Sequence, residues 1–290
     1  MHLAPKPYRN PLILLLAALL LSSCSGEPTD GQAASTVADE HRMSASAALK
    51  TAIASPSRTE QERSRDRYRH PLETLTFFEI QPDQHVVELW PGGGWYTGIL
   101  APLLREQGAL TAASFAPGGP AYRDRIHNEY LQRLADNREA YGAVTVVRFG
   151  DTGYFSLGPD NSADRVLTFR NTHNWIRDGV EADIYAAAYR VLKPGGLFGV
   201  VQHRAETGAD PVQRANTGYV PQNYVIETAQ AAGFEFVASS EINANPRDLK
   251  AYPEGVWTLP PSLRLNEKDR DKYLAIGESD RMTLKFRKPG

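Results

Sequence analysis

The segment "HVVELWPGGGWYTGILAPLL", residues 85–104, decides the fold. Residues 85–90 are β-branched and apolar enough for a buried strand, and Gly92, Gly93 and Gly94 follow at once. Beyond them Ile99, Leu100, Leu103 and Leu104 recur at helical spacing, so a strand enters a helix through a glycine turn. Glycines at such a turn let the backbone approach a ligand, and the helix N-terminus offers free N–H groups to an anion.

Working outward, short β-rich runs alternate with helical stretches, the signature of a parallel sheet covered by helices. After the first strand, 85–90, come strands expected at 109–115, 144–149, 163–169 and 196–203. The last, "GLFGVVQH", is continuously apolar, as a central strand buried on both faces requires. Asp178 and Glu181 have capping-box spacing for the helix before it, and "LKPGG" ends that helix. A helix from Pro221 places Val225, Ile226, Ala229 and Ala232 inward, and strands follow at 234–240 and 281–288, the latter alternating Met282, Leu284 and Phe286. Between these two strands, residues 243–280 hold Pro246, Pro253, Pro260 and Pro261, predicting a long irregular insertion of the kind that covers a site.

The chain begins with Lys6 and Arg9 ahead of an apolar run, Leu12 to Leu21, too short to span a bilayer. Residues 1–23 therefore read as a signal peptide. The run ends in "LSSC", which resembles the bacterial lipobox and makes Cys24, the sole cysteine, the lipidation site. Residues 24–44 are small and polar and are expected to be a flexible tether, with N-terminal helices over 45–80 opening a single domain, 45–290. Ser25 after the cysteine points to an exported lipoprotein of the outer membrane, facing the periplasm. The chain carries 32 basic and 34 acidic residues, no electrostatic footprint for nucleic acid. Arg58 to Arg69 holds five arginines interleaved with Glu60, Glu62 and Asp66, expected to be a solvated helix face. No histidine pair has metal-ligand spacing, so no metal site is expected.

The dinucleotide fingerprint fails here: counting from Gly92, its sixth position falls on Thr97. An acidic residue followed by glycines two, four and six places later is instead the S-adenosylmethionine loop of class I methyltransferases. Glu88, Trp90, Gly92 and Gly94 occupy those places. With Asp151 after the third strand and "RVLKPGGLFGVV" leading into the fifth, residues 71–288 resemble that superfamily. "FRNTHNW" and "DRMTLKFRKP" bring in its predicted exported bacterial members.

The resemblance implies a Rossmann-like, mostly parallel sheet of seven strands with helices on both faces and strand seven antiparallel. It also implies S-adenosyl-L-methionine as cofactor, held by Glu88, Trp90, Gly92, Gly93, Gly94, Ser114, Asp151 and Arg170. Two departures bear on affinity. Trp90 replaces the first glycine, and Ser114 replaces the acid that holds the ribose hydroxyls, a charge-assisted contact worth about 1.5–3 kcal/mol.

In open parallel sheets ligands sit beyond the carboxyl ends of the strands, which brings "RNTHNW", residues 170–175, to the site. His173, whose ordinary pKa lies near neutral, is the candidate catalytic base. Arg170 is suited to an acidic group, or to pairing with Asp164 or Asp151. Trp95, Tyr96, Asn171, Asn174, Trp175 and His203 are expected to wall a substrate pocket. The expected function is methyl transfer to an unidentified small-molecule or envelope substrate; the alternative is a non-catalytic lipoprotein that keeps the fold and binds another envelope ligand or partner.

Overall fold

The computed structural model describes residues 43–151 and 153–290, together with Met1, His2 and Ala4. Cys24 and nearly all of the expected signal peptide and tether lie outside the described residues. Met1–Glu40 and His41–Gly290 form separate units, and every element below belongs to the second. Among the described residues no helix is long and apolar enough to cross a membrane.

Seven strands form one sheet: β1 (His85–Leu89), β2 (Ala109–Phe115), β3 (Thr145–Phe149), β4 (Ala163–Phe169), β5 (Leu192–His203), β6 (Glu235–Ser240) and β7 (Arg281–Arg287). Their order is β3-β2-β1-β4-β5-β7-β6. The first five pair in parallel, while β7 runs antiparallel to both β5 and β6. Strand order reverses at β1, between β2 and β4, leaving a crevice beyond the carboxyl ends of β1 and β4.

The pleat assigns successive side chains to opposite faces. Val87 joins a core with Ile184 and Tyr185 of one helix and Val225 and Ala229 of another. Val86 joins a second core with Leu75, Phe78, Ile99 and Leu100. The covering helices are α1 (Thr97–Leu104), α2 (Ala121–Asp136), α3 (Thr172–Asp178), α4 (Glu181–Val191) and α5 (Gln222–Ala231). Met282, Leu284 and Phe286 are fully buried, as their alternation predicts. Burying one such side chain stabilises the fold by roughly 1.5–3 kcal/mol.

The polar segment after β4 enters α3, closed by Gly179 at φ +70°, and two local expectations are corrected. Asp178 consequently ends that helix rather than capping α4, whose N-cap is Val180 with no side-chain bond. The arginine-rich stretch is not a solvated face: Arg58 and Arg69 are almost wholly buried, Arg58 paired with Asp66 at 2.6 Å. The insertion between β6 and β7 is largely irregular but includes a 3-10 turn, Gly255–Thr258, and a helix, Arg270–Ile276.

Candidate functional site

A cavity of about 990 Å³ opens in the crevice at β1 and β4. Of the residues singled out by sequence, Trp90, Gly92, Gly93, Trp95, Arg170 and Asn171 line it, as do His173, Asn174 and His203. Trp257 and Arg264 of the insertion line it as well, so that segment does reach over the site.

The glycine turn divides. Gly92 has φ +59°, where a Cβ is unfavourable, and nothing lies within 4 Å of a Cβ added at Gly92 or Gly93. That is open space above bare backbone, on the cavity wall. Gly94 faces the other way: a Cβ there would come within 3.0 Å of the Tyr130 ring and 3.3 Å of Arg133. Gly94 packs against those two side chains and does not line the cavity. Glu88 also lies off the cavity, buried under α1, where Thr97 Oγ1 donates to its carboxylate at 2.6 Å. Burial pushes the Glu88 pKa up to about 7.

Trp90 adopts φ +47°, an unfavourable conformation for a bulky residue. Its carbonyl and that of Leu89 accept from Asn171 Nδ2 at 3.2 and 2.9 Å, so Asn171 holds the turn in place. The indole swings across the sheet: Nε1 donates to the Phe149 carbonyl at 3.0 Å, and the ring lies 4.8 Å from Phe115. Arg123 closes over it, 4.7 Å from the ring, itself tied to Asp178. Gly150 must be glycine here, since its Cβ would fall 2.7 Å from the indole.

The carboxyl ends of β2 and β3 are therefore covered. Ser114 is buried beneath α2, its hydroxyl 2.9 Å from His127 Nδ1, and does not face the cavity. Asp151 follows Gly150 and does not line the cavity either. Tyr96 is stacked on Phe169 at 3.4 Å, and Trp175 is fully buried against Tyr185 and Trp90. Neither walls the pocket. Sequence order placed them beside the loop, but their side chains turn into the core.

His173 Nδ1 is 3.3 Å from Gln202 Nε2, and its ring is 5.8 Å from both His203 and Trp257. Burial lowers its pKa to about 3, outweighing the Gln202 contact. His203, bonded to Ser279 Oγ at 2.5 Å, is lowered for the same reason. Both imidazoles are neutral at physiological pH, and an acceptor with a pKa near 3 has little drive to take a proton. Arg170 does not pair with Asp164, which is bonded to Lys193 at 2.7 Å.

Also missed from sequence are Arg65 and Arg69, which line the cavity from the N-cap and the last residue of a short helix, Asp66–Arg69. Trp95 is held between Arg58 and Arg69, at 4.9 and 4.5 Å, and its Nε1 donates to the Glu62 carbonyl. The available signal was the choice of arginine without lysine in residues 58–69, because arginine is the cation suited to burial against aromatic rings. Among the described residues no group of three His, Cys, Asp or Glu could hold a metal ion.

No family model matches the chain, and no curated protein matches its sequence. Solved structures do match its fold. An S-adenosylmethionine-dependent methyltransferase from Aquifex aeolicus superposes with TM-score 0.52 at 15% identity, over 78% of this chain and 93% of that one. The [4+2]-cyclase SpnF gives TM-score 0.51 at 19% identity, over 76% and 82%. Phosphoethanolamine N-methyltransferase 2 of Haemonchus contortus, in complex with S-adenosyl-L-methionine, gives 0.50 at 17% identity, over 77% and 53%. At such identities the likeness is one of architecture. The chain has the class I methyltransferase fold, with a cavity of about 990 Å³ at the strand-order switch.

Proposed function

We propose that the chain is an S-adenosylmethionine-dependent methyltransferase whose cofactor lies along Gly92 and Gly93 and whose acceptor fills the rest of the cavity. The observation that carries this reading is the open backbone of those two glycines on the cavity wall. When bound, the cofactor supplies an electrophilic methyl group on a sulfonium. Asn171 keeps the turn in place through the Leu89 and Trp90 carbonyls, and Phe169 and Trp257 give the cavity apolar walls that exclude water. His173 offers a neutral imidazole, suited to hydrogen bonding more than to proton abstraction.

The fit is good at the glycines and tight at β2 and β3, where the Trp90 indole must move to admit an adenosyl group. That indole is the observation favouring the second reading, a binding protein that keeps the fold for another ligand. Titration calorimetry of the purified chain with S-adenosylmethionine and S-adenosylhomocysteine tests the two. Saturable binding that disappears in folded Gly93→Val supports the enzyme; no binding of either compound favours the second reading.

We also propose that the protein is tethered to the bacterial envelope through lipid on Cys24, supported by the "LSSC" junction. Incorporation of labelled fatty acid into the full chain, lost in Cys24→Ala, is the expected result.

A further inference from the structure

The N-terminal helices, the end of β4 and the start of β7 bring four guanidinium groups together around one carboxylate. Glu278 takes Arg65 Nε at 2.6 Å, Arg281 Nη1 at 3.2 Å and Arg69 Nε at 3.5 Å. Arg170 is the fourth, at φ +66°, on the cavity wall, and among the described residues its guanidinium takes no hydrogen bond or ion pair. Arg69 is 1% exposed, and none of its three side-chain nitrogens has a hydrogen-bond partner; Arg65 Nη2 is buried and unpartnered too. Glu278 and Arg281 stand behind that wall, facing a second cavity of about 620 Å³, and the acid on the wall itself, Glu62, is committed to Arg133.

Four permanent cations facing one carboxylate is an uncompensated arrangement. A buried donor without a hydrogen-bond partner costs about 1–3 kcal/mol, more when it is charged, and Arg69 keeps three such nitrogens beside the cavity. The local field agrees: burial raises the Glu278 carboxyl, yet Arg281, Arg69 and Arg65 hold it down at about 2. Burial and then the neighbouring Arg65 bring Arg170 down to about 10. No imidazolium or further carboxylate offsets the charge, since His173 and His203 are neutral. A planar guanidinium pairs two N–H groups with the oxygens of a carboxylate or phosphate, and the cavity's Trp90, Phe169 and Trp257 suit an apolar body attached to one.

We propose that the Arg65, Arg69 and Arg170 cluster is a binding site for the carboxylate or phosphate group of the methyl acceptor, which makes the acceptor an anionic molecule with an apolar or aromatic body. The assignment to an acceptor rests on the methyltransferase reading; the anion site itself does not. It has a further consequence. S-adenosylmethionine carries a sulfonium charge that S-adenosylhomocysteine lacks, so an anion held here favours the former over the latter.

Calorimetry of the full chain with inorganic phosphate, alone and saturated with S-adenosylhomocysteine, tests this. One phosphate is expected to bind per chain in both titrations, at least tenfold more weakly in Arg170→Gln and more tightly in Glu278→Gln, which removes the competing carboxylate. Phosphate is also expected to raise affinity for S-adenosylmethionine more than for S-adenosylhomocysteine. Should Arg170→Gln fail to fold, Arg170→Lys keeps the charge without the fork and is expected to weaken phosphate binding less. Absence of saturable phosphate binding, or equal affinity in folded Arg170→Gln or Arg170→Lys, overturns the site. Displacement of phosphate by S-adenosylhomocysteine overturns the acceptor assignment, because the arginines would then hold the cofactor's own carboxylate. Phosphate binding in a chain that binds neither adenosyl compound leaves the anion site standing and removes the methyltransferase reading.

Discussion

The Trp90 indole Nε1 donates to the Phe149 carbonyl at 3.0 Å, so a side chain rooted at the end of β1 caps the end of β3 and lies across β2 on the way. It covers the ground that Ser114 and Asp151 would occupy as adenosyl contacts. Trp90→Gly removes the cover and relieves a residue at φ +47°. Lost packing of a large aromatic costs about 3–5 kcal/mol, and relief of the left-handed conformation returns about 1–2. We expect a net loss of about 1–4 kcal/mol in urea denaturation, with S-adenosylhomocysteine bound at least tenfold more tightly. Weaker binding would show that the indole is a platform for the ligand and not an obstacle.

Glu88 and Thr97 give a pH-dependent prediction. A carboxyl whose folded pKa is raised to about 7 from 4.5 binds a proton on folding. Its contribution is therefore fully present below 4.5 and is lost as pH rises through 7. Glu88→Gln mimics the protonated acid and still accepts from Thr97. It should raise stability by about 1–3 kcal/mol at pH 8 and change it little at pH 4. Denaturation curves at the two pH values measure this, and equal effects at both would mean that Glu88 titrates normally.

Ser114→Asp is the direct attempt to restore a ribose-binding acid. Because Ser114 is buried against His127 at 2.9 Å, the new carboxylate is expected to pair with that imidazole. The affinity for S-adenosylhomocysteine should stay within about twofold, while the His127 pKa, now lowered by burial and then by Arg148, should rise above its ordinary value. Calorimetry and histidine NMR read the two effects. A tenfold gain in affinity would show that position 114 reaches the ligand after all.

His173 should stay neutral far below the usual histidine range. Its folded pKa is depressed to about 3, so its contribution to stability is present above 6.5 and lost as pH falls toward 3. Proton NMR of its ring should show no titration between pH 7.5 and 5, and turnover, once an acceptor is in hand, should show no acid limb from this group over that range. A His173 titration near 6.5 would return it to the role of general base.

How much of the site was legible depended on whether a residue acts through backbone or side chain. The seven strands, their order of appearance and the buried alternation of Met282, Leu284 and Phe286 follow from local periodicity, which a chain carries in its own neighbours. The glycine turn was legible for the same reason. Gly94 shows the limit: it sits in the motif beside Gly92 and Gly93, yet backs onto Tyr130 and Arg133, which arrive from α2. The irregular character of 243–280 was readable from its prolines, but that Trp257 and Arg264 would line the cavity was not.

The sequence by itself determined the parallel sheet, the position of the glycine turn at the first strand's end, and the absence of an acid at position 114, because strand and helix periods and residue identities are local properties. Only the tertiary structure decided what that turn faces. Trp90 could as well have opened toward solvent, and Arg58 and Arg69 could have lain on an exposed face. They are buried because Trp95, Phe115 and Phe149, distant in sequence, supply the rings and the carbonyl against which they pack. The charge beside the cavity was decided in the same way: Arg65, Arg69 and Arg281 are spread over more than two hundred residues, and only folding brings them to one carboxylate, Glu278.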